Sequence, residues 1–293
     1  MTNLLEQPWV KDFPWSQEGS KQIASKVFAY DPKEAGLPIE KLNLLLCGGV
    51  GAGKSSIVSL IDSVCKGRTS AIAVHGTGSS SVTTNLTKYK MKPTGSKKNV
   101  KWQLWDTMGW GSDDYKGGEL AFILDGNLPH GCDQRQRLST KTANFKIKPS
   151  LEEEVHCVCL VVPSNAATDE KYMARLQEMR QAALERRIPT VVFLTKIDTY
   201  DPDLVGKDLT KTFHSQKLLE LCKAVAIKAG VGGQKDVFPI KSMTDETGPT
   251  PALQALVCSA LQKALYYAED YVSNRVNDHS DDDIKSELYH QSD

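Results

Sequence analysis

The sequence predicts an α/β fold in which helices cover both faces of a central, mostly parallel β-sheet. Continuous apolar runs, which are typical of strands buried on both faces, recur along the chain, and the first is LNLLLC at residues 42–47. Segments with the apolar spacing of a helix separate these runs, beginning with residues 54–66. Such an alternation is the pattern of parallel strands that are joined by crossover helices.

The remaining helices and strands can be placed in chain order. Residues 1–40 are irregular, with a helical pattern near residues 21–30, and we expect them to pack on the core as an N-terminal extension. Residues 67–84 are rich in Gly, Ser and Thr, which predicts a mobile loop. Further strands are predicted at 86–91, 100–105, 155–162, 189–195 and 237–240, and further helices at 118–127, 169–187 and 215–229. A last helix is predicted to begin at Thr250-Pro251, because Thr caps a helix and Pro suits its first turn.

Composition and charge exclude several classes of protein. Lys plus Arg and Asp plus Glu number 36 each, so the net charge gives no reason to expect nucleic acid or an anionic membrane as a partner. No apolar stretch approaches the roughly 20 residues that span a bilayer, and the N-terminus lacks the pattern of a secretory signal. Seven scattered cysteines suit reduced, buried thiols. We therefore expect a cytoplasmic protein without a membrane span.

A phosphate-binding loop is predicted between the first strand and the helix that follows it. Residues 48–55, GGVGAGKS, fit the pattern G-x-x-x-x-G-K-S in the strand–loop–helix context that this pattern requires. Glycines let backbone N–H groups approach phosphate oxygens, and the helix N-terminus adds the positive end of its dipole. We expect Lys54 to contact the β- and γ-phosphates and the Ser55 hydroxyl to bind Mg²⁺. The predicted phosphate-binding residues of this loop are Gly48, Val50, Gly51, Ala52, Gly53, Lys54, Ser55 and Ser56.

A second motif, D-x-x-G at residues 106–109, follows the strand predicted at 100–105. In this position Asp106 would lie near Mg²⁺, and the N–H of Gly109 would lie near the γ-phosphate. A threonine in the loop after the first helix normally completes the metal shell. Thr83 and Thr84 both qualify by position, and we favour Thr84. The predicted metal ligands are Ser55, Thr84 and Asp106.

A third motif selects guanine over adenine. Residues 195–198, TKID, end an apolar strand and match the pattern [NT]-K-x-D. Asp198 can accept hydrogen bonds from guanine N1–H and the 2-amino group, and adenine lacks both donors, so ATP would leave this carboxylate unpaired. The predicted guanine-binding residues are Thr195, Lys196, Asp198, Lys241 and Ser242. Together the three motifs predict a P-loop GTPase-like fold that binds GTP or GDP with Mg²⁺.

With these motifs in place, the chain resembles the interferon-induced protein 44 family, including its 44-like members. The resemblance runs from about residue 8 to residue 275, and the combination of motifs is specific although no single motif is. The matching segments are G-x-V-G-A-G-K-S-S at 48–56, D-x-x-G at 106–109, LDGNL at 124–128, VHCV at 155–158, TKID at 195–198 and A-L-x-x-x-L-x-x-A-E-D at 260–270.

The resemblance implies a cytoplasmic, GTPase-like protein that is induced in antiviral responses, and hence a role in innate immunity. Some members of the family carry an additional N-terminal domain of the TLDc type. The short segment before Leu42 leaves no room for such a domain in this sequence, so we do not expect one.

The residue after D-x-x-G bears on whether GTP is hydrolysed. Many small GTPases have Gln there to orient the attacking water, whereas this chain has Trp110, whose indole cannot polarise water as an amide can. We expect turnover that is slow or depends on a partner, a second protomer or a nearby polar residue such as Ser112 or Asp113. The alternative is a nucleotide-stabilised scaffold that binds protein partners without turnover. A P-loop kinase would leave TKID unexplained.

The spacing of the motifs predicts how the chain is divided. About 90 residues separate Asp106 from Thr195, which is more than a simple GTPase domain uses. We therefore expect a GTPase-like domain at 41–276 with an insertion at about 125–150, followed by an acidic, disordered tail at 277–293. The cation-rich insertion is either a solvated loop or a surface for a protein partner or a second copy. Trp110 either packs locally or contacts such a partner.

Overall fold

A six-stranded sheet forms the centre of the structure, a computed structural model that describes residues 4–70, 72–73, 83–110, 118–243 and 248–290. Residue 71 and residues 74–82 of the loop predicted at 67–84 therefore lie outside the described residues. The strands are β1 (Leu42–Cys47), β2 (Thr87–Lys90), β3 (Trp102–Asp106), β4 (Cys157–Pro163), β5 (Thr190–Thr195) and β6 (Val237–Pro239). The helices of the described residues are α1 (Gln17–Ala29), α2 (Lys54–Lys66), α3 (Gly118–Leu124), α4 (Glu170–Glu185), α5 (Ile197–Tyr200), α6 (Gln216–Ala229) and α7 (Pro251–His290).

The order of strands across the sheet is β2-β3-β1-β4-β5-β6. All neighbouring strands are parallel except β2, which runs antiparallel to β3. Every residue of β1, β3, β4 and β5 is buried, as expected for strands that are covered on both faces. The predicted α/β fold with a mostly parallel sheet is therefore confirmed.

The chain direction places helices on opposite faces of this sheet. After β1 the chain passes through α2 and moves across the sheet in one direction, towards β3. The connections through α4 and α6 move in the opposite direction, from β4 to β5 and from β5 to β6. Since such crossovers are right-handed, α2 lies on one face and α4 and α6 on the other. Helix α7 packs against β1, β4 and β5 beside α1 and α2.

The N-terminal segment packs against the short 3₁₀ helix Leu209–His214 and against α7. The rings of Trp9, Phe13 and Trp15 surround Phe213 with centroid distances of 4.8, 4.6 and 5.4 Å. Helix α1 lies on α7, and the indole N–H of Trp102 in β3 donates to the Val27 carbonyl at 2.8 Å. These contacts join residues 4–30 to the sheet, while the division of the chain into domains stays a prediction.

The last helix begins as predicted, because the Thr250 hydroxyl accepts the Leu253 N–H at 3.3 Å. Its backbone continues to His290, so it includes most of the segment 277–293 for which the sequence predicts a disordered tail. The disorder of that tail stays a prediction. Among the helices of the described residues, none combines the length and the apolar character needed to cross a membrane. All seven cysteines belong to the described part of the chain, and each is buried and free, as predicted.

Residues between α3 and β4, all of them described, form no regular helix or strand, and the insertion predicted at about 125–150 falls in this segment and stays a prediction. One part of this segment covers the outer edge of β2. The N–H of Leu86 donates to the Cys132 carbonyl, and the N–H of Gly131 donates to the Leu86 carbonyl, both at 2.8 Å. The insertion therefore lies directly beside the chain that leads from Thr83 into β2.

Candidate functional site

The loop at residues 48–53 joins the end of β1 to the start of α2, where the sequence predicts phosphate binding. Gly53, the residue before the helix, has a φ of 103°, a left-handed conformation that favours glycine. No side chain caps the N-terminus of α2, and its first turn carries no acidic residue. The N–H groups and the positive dipole end of this helix can therefore receive an anion.

Lys54 holds the loop closed from the inside. Its side chain is buried, and its ammonium donates to the carbonyls of Gly48 at 2.7 Å and Gly49 at 3.2 Å. Burial lowers the pKa of Lys54, and the nearby carboxylate of Asp106 acts in the opposite direction. The structure thus places one cation between the phosphate loop and the end of β3.

Three oxygen-bearing side chains meet beside Lys54. The hydroxyls of Ser55 and Thr83 each donate to one carboxylate oxygen of Asp106, Oδ2, at 3.2 Å, and the two hydroxyls lie 3.3 Å apart. The other oxygen, Oδ1, is buried and has no hydrogen-bond partner among the described residues. Burial raises the pKa of Asp106, while Lys54 and the two hydroxyls lower it.

The two candidate threonines of the preceding loop have different surroundings. Thr83 belongs to the cluster with Ser55 and Asp106, whereas the Thr84 hydroxyl donates to the side-chain oxygen of Asn85 at 2.9 Å. The structure therefore does not bring Thr84, which the sequence analysis favours, to the predicted metal ligands. Thr83, the other candidate, takes this place.

The oxygen atoms of Ser55, Thr83 and Asp106 are of the kind that a magnesium ion prefers. Hydroxyl and carboxylate oxygens are hard donors, which suit Mg²⁺, and Mg²⁺ needs few protein ligands when substrate phosphates supply the rest. A buried carboxylate oxygen without a partner is costly unless a cation, an ion-bound water or a proton satisfies it. Asp106 Oδ1 provides such a position next to Ser55 and Thr83.

Residues Gly109 and Trp110 lie against the phosphate loop. A Cβ at Gly109 would come within 2.8 Å of the Val50 nitrogen, so only glycine permits this approach. The Val50 N–H donates to the Trp110 carbonyl at 2.8 Å. The sequence predicts that Val50 contacts a phosphate. In this conformation its N–H is bonded to the segment after D-x-x-G and is therefore not available to an anion.

Trp110 is buried in this conformation, with 8% of its surface exposed, so of the two alternatives the structure shows local packing, and a contact with a partner stays a prediction. Its ring packs on Tyr172 of α4 at a centroid distance of 5.5 Å. The Tyr172 hydroxyl accepts the Gly49 N–H at 3.2 Å and donates to the Val161 carbonyl at 2.9 Å. Tyr172 therefore fixes the start of the phosphate loop. No motif in the sequence indicates this role, and Ser112 and Asp113 lie outside the described residues.

The TKID segment is joined to the phosphate loop by a hydrogen bond. The Thr195 hydroxyl donates to the Ala52 carbonyl at 2.6 Å. Lys196 has a φ of 59°, and its carbonyl accepts hydrogen bonds from Ser164 at 2.9 Å and Thr199 at 2.8 Å. A left-handed lysine costs on the order of 1–3 kcal/mol, and such strain is concentrated at functional sites.

The remaining predicted base contacts lie at the same end of the sheet. Asp198 is half-buried, and no described residue forms a hydrogen bond or ion pair with its carboxylate. The Ile240 N–H donates to the Leu194 carbonyl at 2.7 Å, which sets the half-buried Lys241 and Ser242 beside the end of β5. The three motifs therefore meet beyond the carboxyl ends of the parallel strands, where α/β sheets bind ligands.

One further residue links the insertion to this site. In the orientation that satisfies its amide, the side-chain oxygen of Gln134 accepts the N–H of Met108 at 2.9 Å, and its backbone N–H donates to the Thr84 carbonyl at 2.9 Å. The insertion thus contacts both the threonine loop and D-x-x-G. The sequence gives no signal for this contact.

Comparison with known proteins tests the predicted resemblance. No protein-family model matches the chain. It is 25% identical to human interferon-induced protein 44-like over 246 residues, which cover 80% of this chain and 53% of that protein. It is 23% identical to human interferon-induced protein 44 over 262 residues, which cover 87% of this chain and 58% of that protein. The resemblance to the interferon-induced protein 44 family is confirmed.

The interferon-induced protein 44 of the mouse gives a similar result, with 24% identity over 251 residues and coverage of 83% of this chain. The chain spans about half the length of the curated relatives it matches, between 53% and 58%. The similarity to the interferon-induced protein 44 family therefore extends over most of this chain but over only part of each relative.

Proposed function

We propose that this protein binds a guanine nucleotide, GTP or GDP, together with Mg²⁺. The observation that carries the proposal is the buried Asp106 carboxylate, which is bonded through one oxygen to Ser55 and Thr83 and lacks a partner at the other among the described residues. A cation bound next to the phosphate loop would satisfy this oxygen and balance its charge. The same end of the sheet carries a carboxylate, Asp198, that suits guanine.

Each residue has a role in this proposal. Lys54 and the N-terminus of α2 bind the phosphates, and Ser55, Thr83 and Asp106 hold the metal. Bound Mg²⁺ neutralises the charge of the β- and γ-phosphates. Asp198 accepts hydrogen bonds from guanine, and the stem of Lys196 lies along the base. Lys241 and Ser242 approach the base from the next strand.

We propose slow or partner-dependent GTP hydrolysis as the chemical outcome. The side chain after D-x-x-G is a buried indole that packs on Tyr172, so it does not orient a water molecule. The same observation supports the alternative, a nucleotide-stabilised scaffold for protein partners. GTP hydrolysis above the uncatalysed rate that Lys54→Ala abolishes would exclude the scaffold.

The relatives suggest the biological setting of this activity. Their names state that they are induced by interferon, and we propose the same for this chain, as a cytoplasmic protein of the antiviral response. Measuring the amount of its transcript with and without interferon treatment tests this part of the proposal independently of nucleotide binding.

Titration calorimetry with GTP, GDP and ATP in the presence of Mg²⁺ tests nucleotide binding. We expect GTP and GDP to bind, ATP not to bind, and Lys54→Ala to abolish binding because it removes the cation of the phosphate loop. Since Lys54 is buried, its removal could unfold the chain. Ser55→Ala therefore serves as a second test of binding, and thermal unfolding shows whether each variant is folded. Equal binding of ATP and GTP, or no binding by a folded wild-type protein, would contradict the proposal.

The neighbouring threonines provide a matched pair of variants for the metal site. Thr83→Val is expected to weaken Mg²⁺-dependent GTP binding by about tenfold or more, because it removes a hydroxyl beside Asp106. Thr84→Val is expected to leave the affinity unchanged, since that hydroxyl bonds to Asn85. The affinities are compared with and without Mg²⁺, and a larger loss for Thr84→Val would assign the metal position to Thr84.

A further inference from the structure

The balanced net charge of the chain hides two segments without any acidic residue. Residues 63–105 contain eight Lys and Arg residues and no Asp or Glu, and residues 134–151 contain five and none. The net charge, which gives no reason to expect nucleic acid or an anionic membrane as a partner, averages over the whole surface. Segregated charge creates a local field that the average does not describe.

The fold brings these two segments together at the β2 edge of the sheet. The Gln134 N–H, at the start of the second segment, donates to the Thr84 carbonyl of the first segment at 2.9 Å, and the residues just before Gln134 cover the outer side of β2. Burial lowers the pKa of Lys88, and the ammonium groups of Lys90, Lys41 and Lys146 lower it further. These three ammonium groups are therefore close enough to repel the charge of Lys88.

A surplus of positive charge remains after the local ion pairs are counted. The acidic side chains Asp133, Glu153 and Glu40 pair with cations of this region. Eight cations of the two segments, which form no ion pair with any described residue, are called the basic face: Lys88, Lys90, Lys92, Lys97, Lys98, Arg137, Lys141 and Lys148. All of them except Lys88 are exposed.

Two features distinguish the kind of polyanion. The β2–β3 hairpin carries lysines and no arginine, and its aromatic side chains are buried or half-buried. Surfaces that bind nucleic acid typically use arginine guanidinium groups and exposed aromatic rings on which bases stack, and this hairpin has neither. Ile147 stands between Lys146 and Lys148 with 83% of its surface exposed. An apolar side chain among lysines suits the interface of a bilayer.

A cavity of about 520 Å³ adjoins the basic face and shares residues with it. His130, Arg137 and Lys141 line this cavity. Its volume is within the range of small-ligand sites, and the charges of Arg137 and Lys141 suit the phosphate of a headgroup, while the carboxylate of Asp133, which also lines the cavity, is paired with Arg135. It lies in the same insertion as Ile147.

From the two acid-free segments, the exposed Ile147 and the cationic cavity, we propose that the basic face docks on a membrane leaflet containing anionic phospholipids. Binding through this face does not require a membrane-spanning helix. The insertion also contacts the threonine loop and D-x-x-G through Gln134, so the docked face borders the candidate nucleotide site.

Co-sedimentation of the full chain with vesicles tests this proposal. We expect binding to vesicles that contain phosphatidylserine, no binding to pure phosphatidylcholine, and a decrease as salt is raised. The triple variant Lys92→Gln, Lys97→Gln, Lys98→Gln is expected to bind on the order of 100-fold more weakly. The matched control Lys211→Gln, Lys217→Gln, Lys223→Gln, near the opposite edge of the sheet, is expected to bind like the wild type.

A second pair of variants tests the apolar contact at constant charge. Ile147→Ser is expected to weaken vesicle binding about tenfold, whereas Ile227→Ser, at an equally exposed isoleucine of α6, is expected to have no effect.

Equal affinity for both kinds of vesicle, or equal losses in the two lysine triples, would overturn the proposal. Binding of duplex RNA without binding of phosphatidylserine vesicles would also overturn it, in favour of a nucleic-acid surface.

Discussion

Replacing Asp198 by Asn is expected to abolish the preference of this protein for guanine over adenine nucleotides. The Asp198 carboxylate can accept two hydrogen bonds from guanine, and no described residue occupies it. Loss of such a matched pair of hydrogen bonds can lower the preference for guanine over adenine nucleotides by up to about 10⁴-fold. Competitive titration of GTP against ATP, with Mg²⁺ present, measures the change.

The control for this variant is Asp203→Asn, which removes an exposed carboxylate in the segment that follows α5 and should leave the preference unchanged. Xanthosine triphosphate provides a positive signal, because the amide that replaces the Asp198 carboxylate can donate to the carbonyl that xanthine has in place of the 2-amino group. A folded Asp198→Asn protein that still selects GTP would show that TKID is only a turn.

Acidification is expected to destabilise the fold through His156. This buried ring accepts the Asn43 N–H through Nδ1 at 2.9 Å and donates to the Leu151 carbonyl through Nε2 at 2.8 Å, so it is neutral. Burial lowers the pKa of His156 to about 4 from an ordinary value of 6.5. Between these two values the unfolded chain binds a proton that the folded chain does not, so stability is complete above pH 6.5 and falls as the pH approaches 4.

The expected loss of unfolding free energy from His156 is about 3 kcal/mol between pH 7 and pH 4. Urea unfolding at a series of pH values measures it. Carboxylates ordinarily begin to bind protons near pH 4, so the wild type is compared with His156→Gln, which should lose stability at pH 7 and show a flatter dependence of unfolding free energy on pH. His130→Gln, at an exposed histidine, serves as the control. Parallel curves for wild type and His156→Gln would contradict the assignment.

Local patterns were sufficient to predict the sheet and the main motifs. The strand LNLLLC, the glycine-rich loop and α2 are consecutive in the chain, so their arrangement follows from short-range geometry. The boundaries were less accurate, since the helix predicted at 118–127 ends at Leu124 and the strand predicted at 86–91 spans only Thr87–Lys90. Strand and helix ends depend on hydrogen bonds to distant residues, which a single sequence does not contain.

By itself the sequence determined the α/β class, the family resemblance, and the residues of the phosphate loop and TKID, because each of these depends on residue types at fixed short spacings. Only the tertiary structure placed Thr83 rather than Thr84 beside Asp106, since neighbouring side chains point in different directions and the sequence does not show which one faces the site. Burial of Trp110 on Tyr172 and assembly of the basic face were likewise decided by tertiary packing. These features join residues that are distant in the chain, and only the path of the folded backbone brings them together.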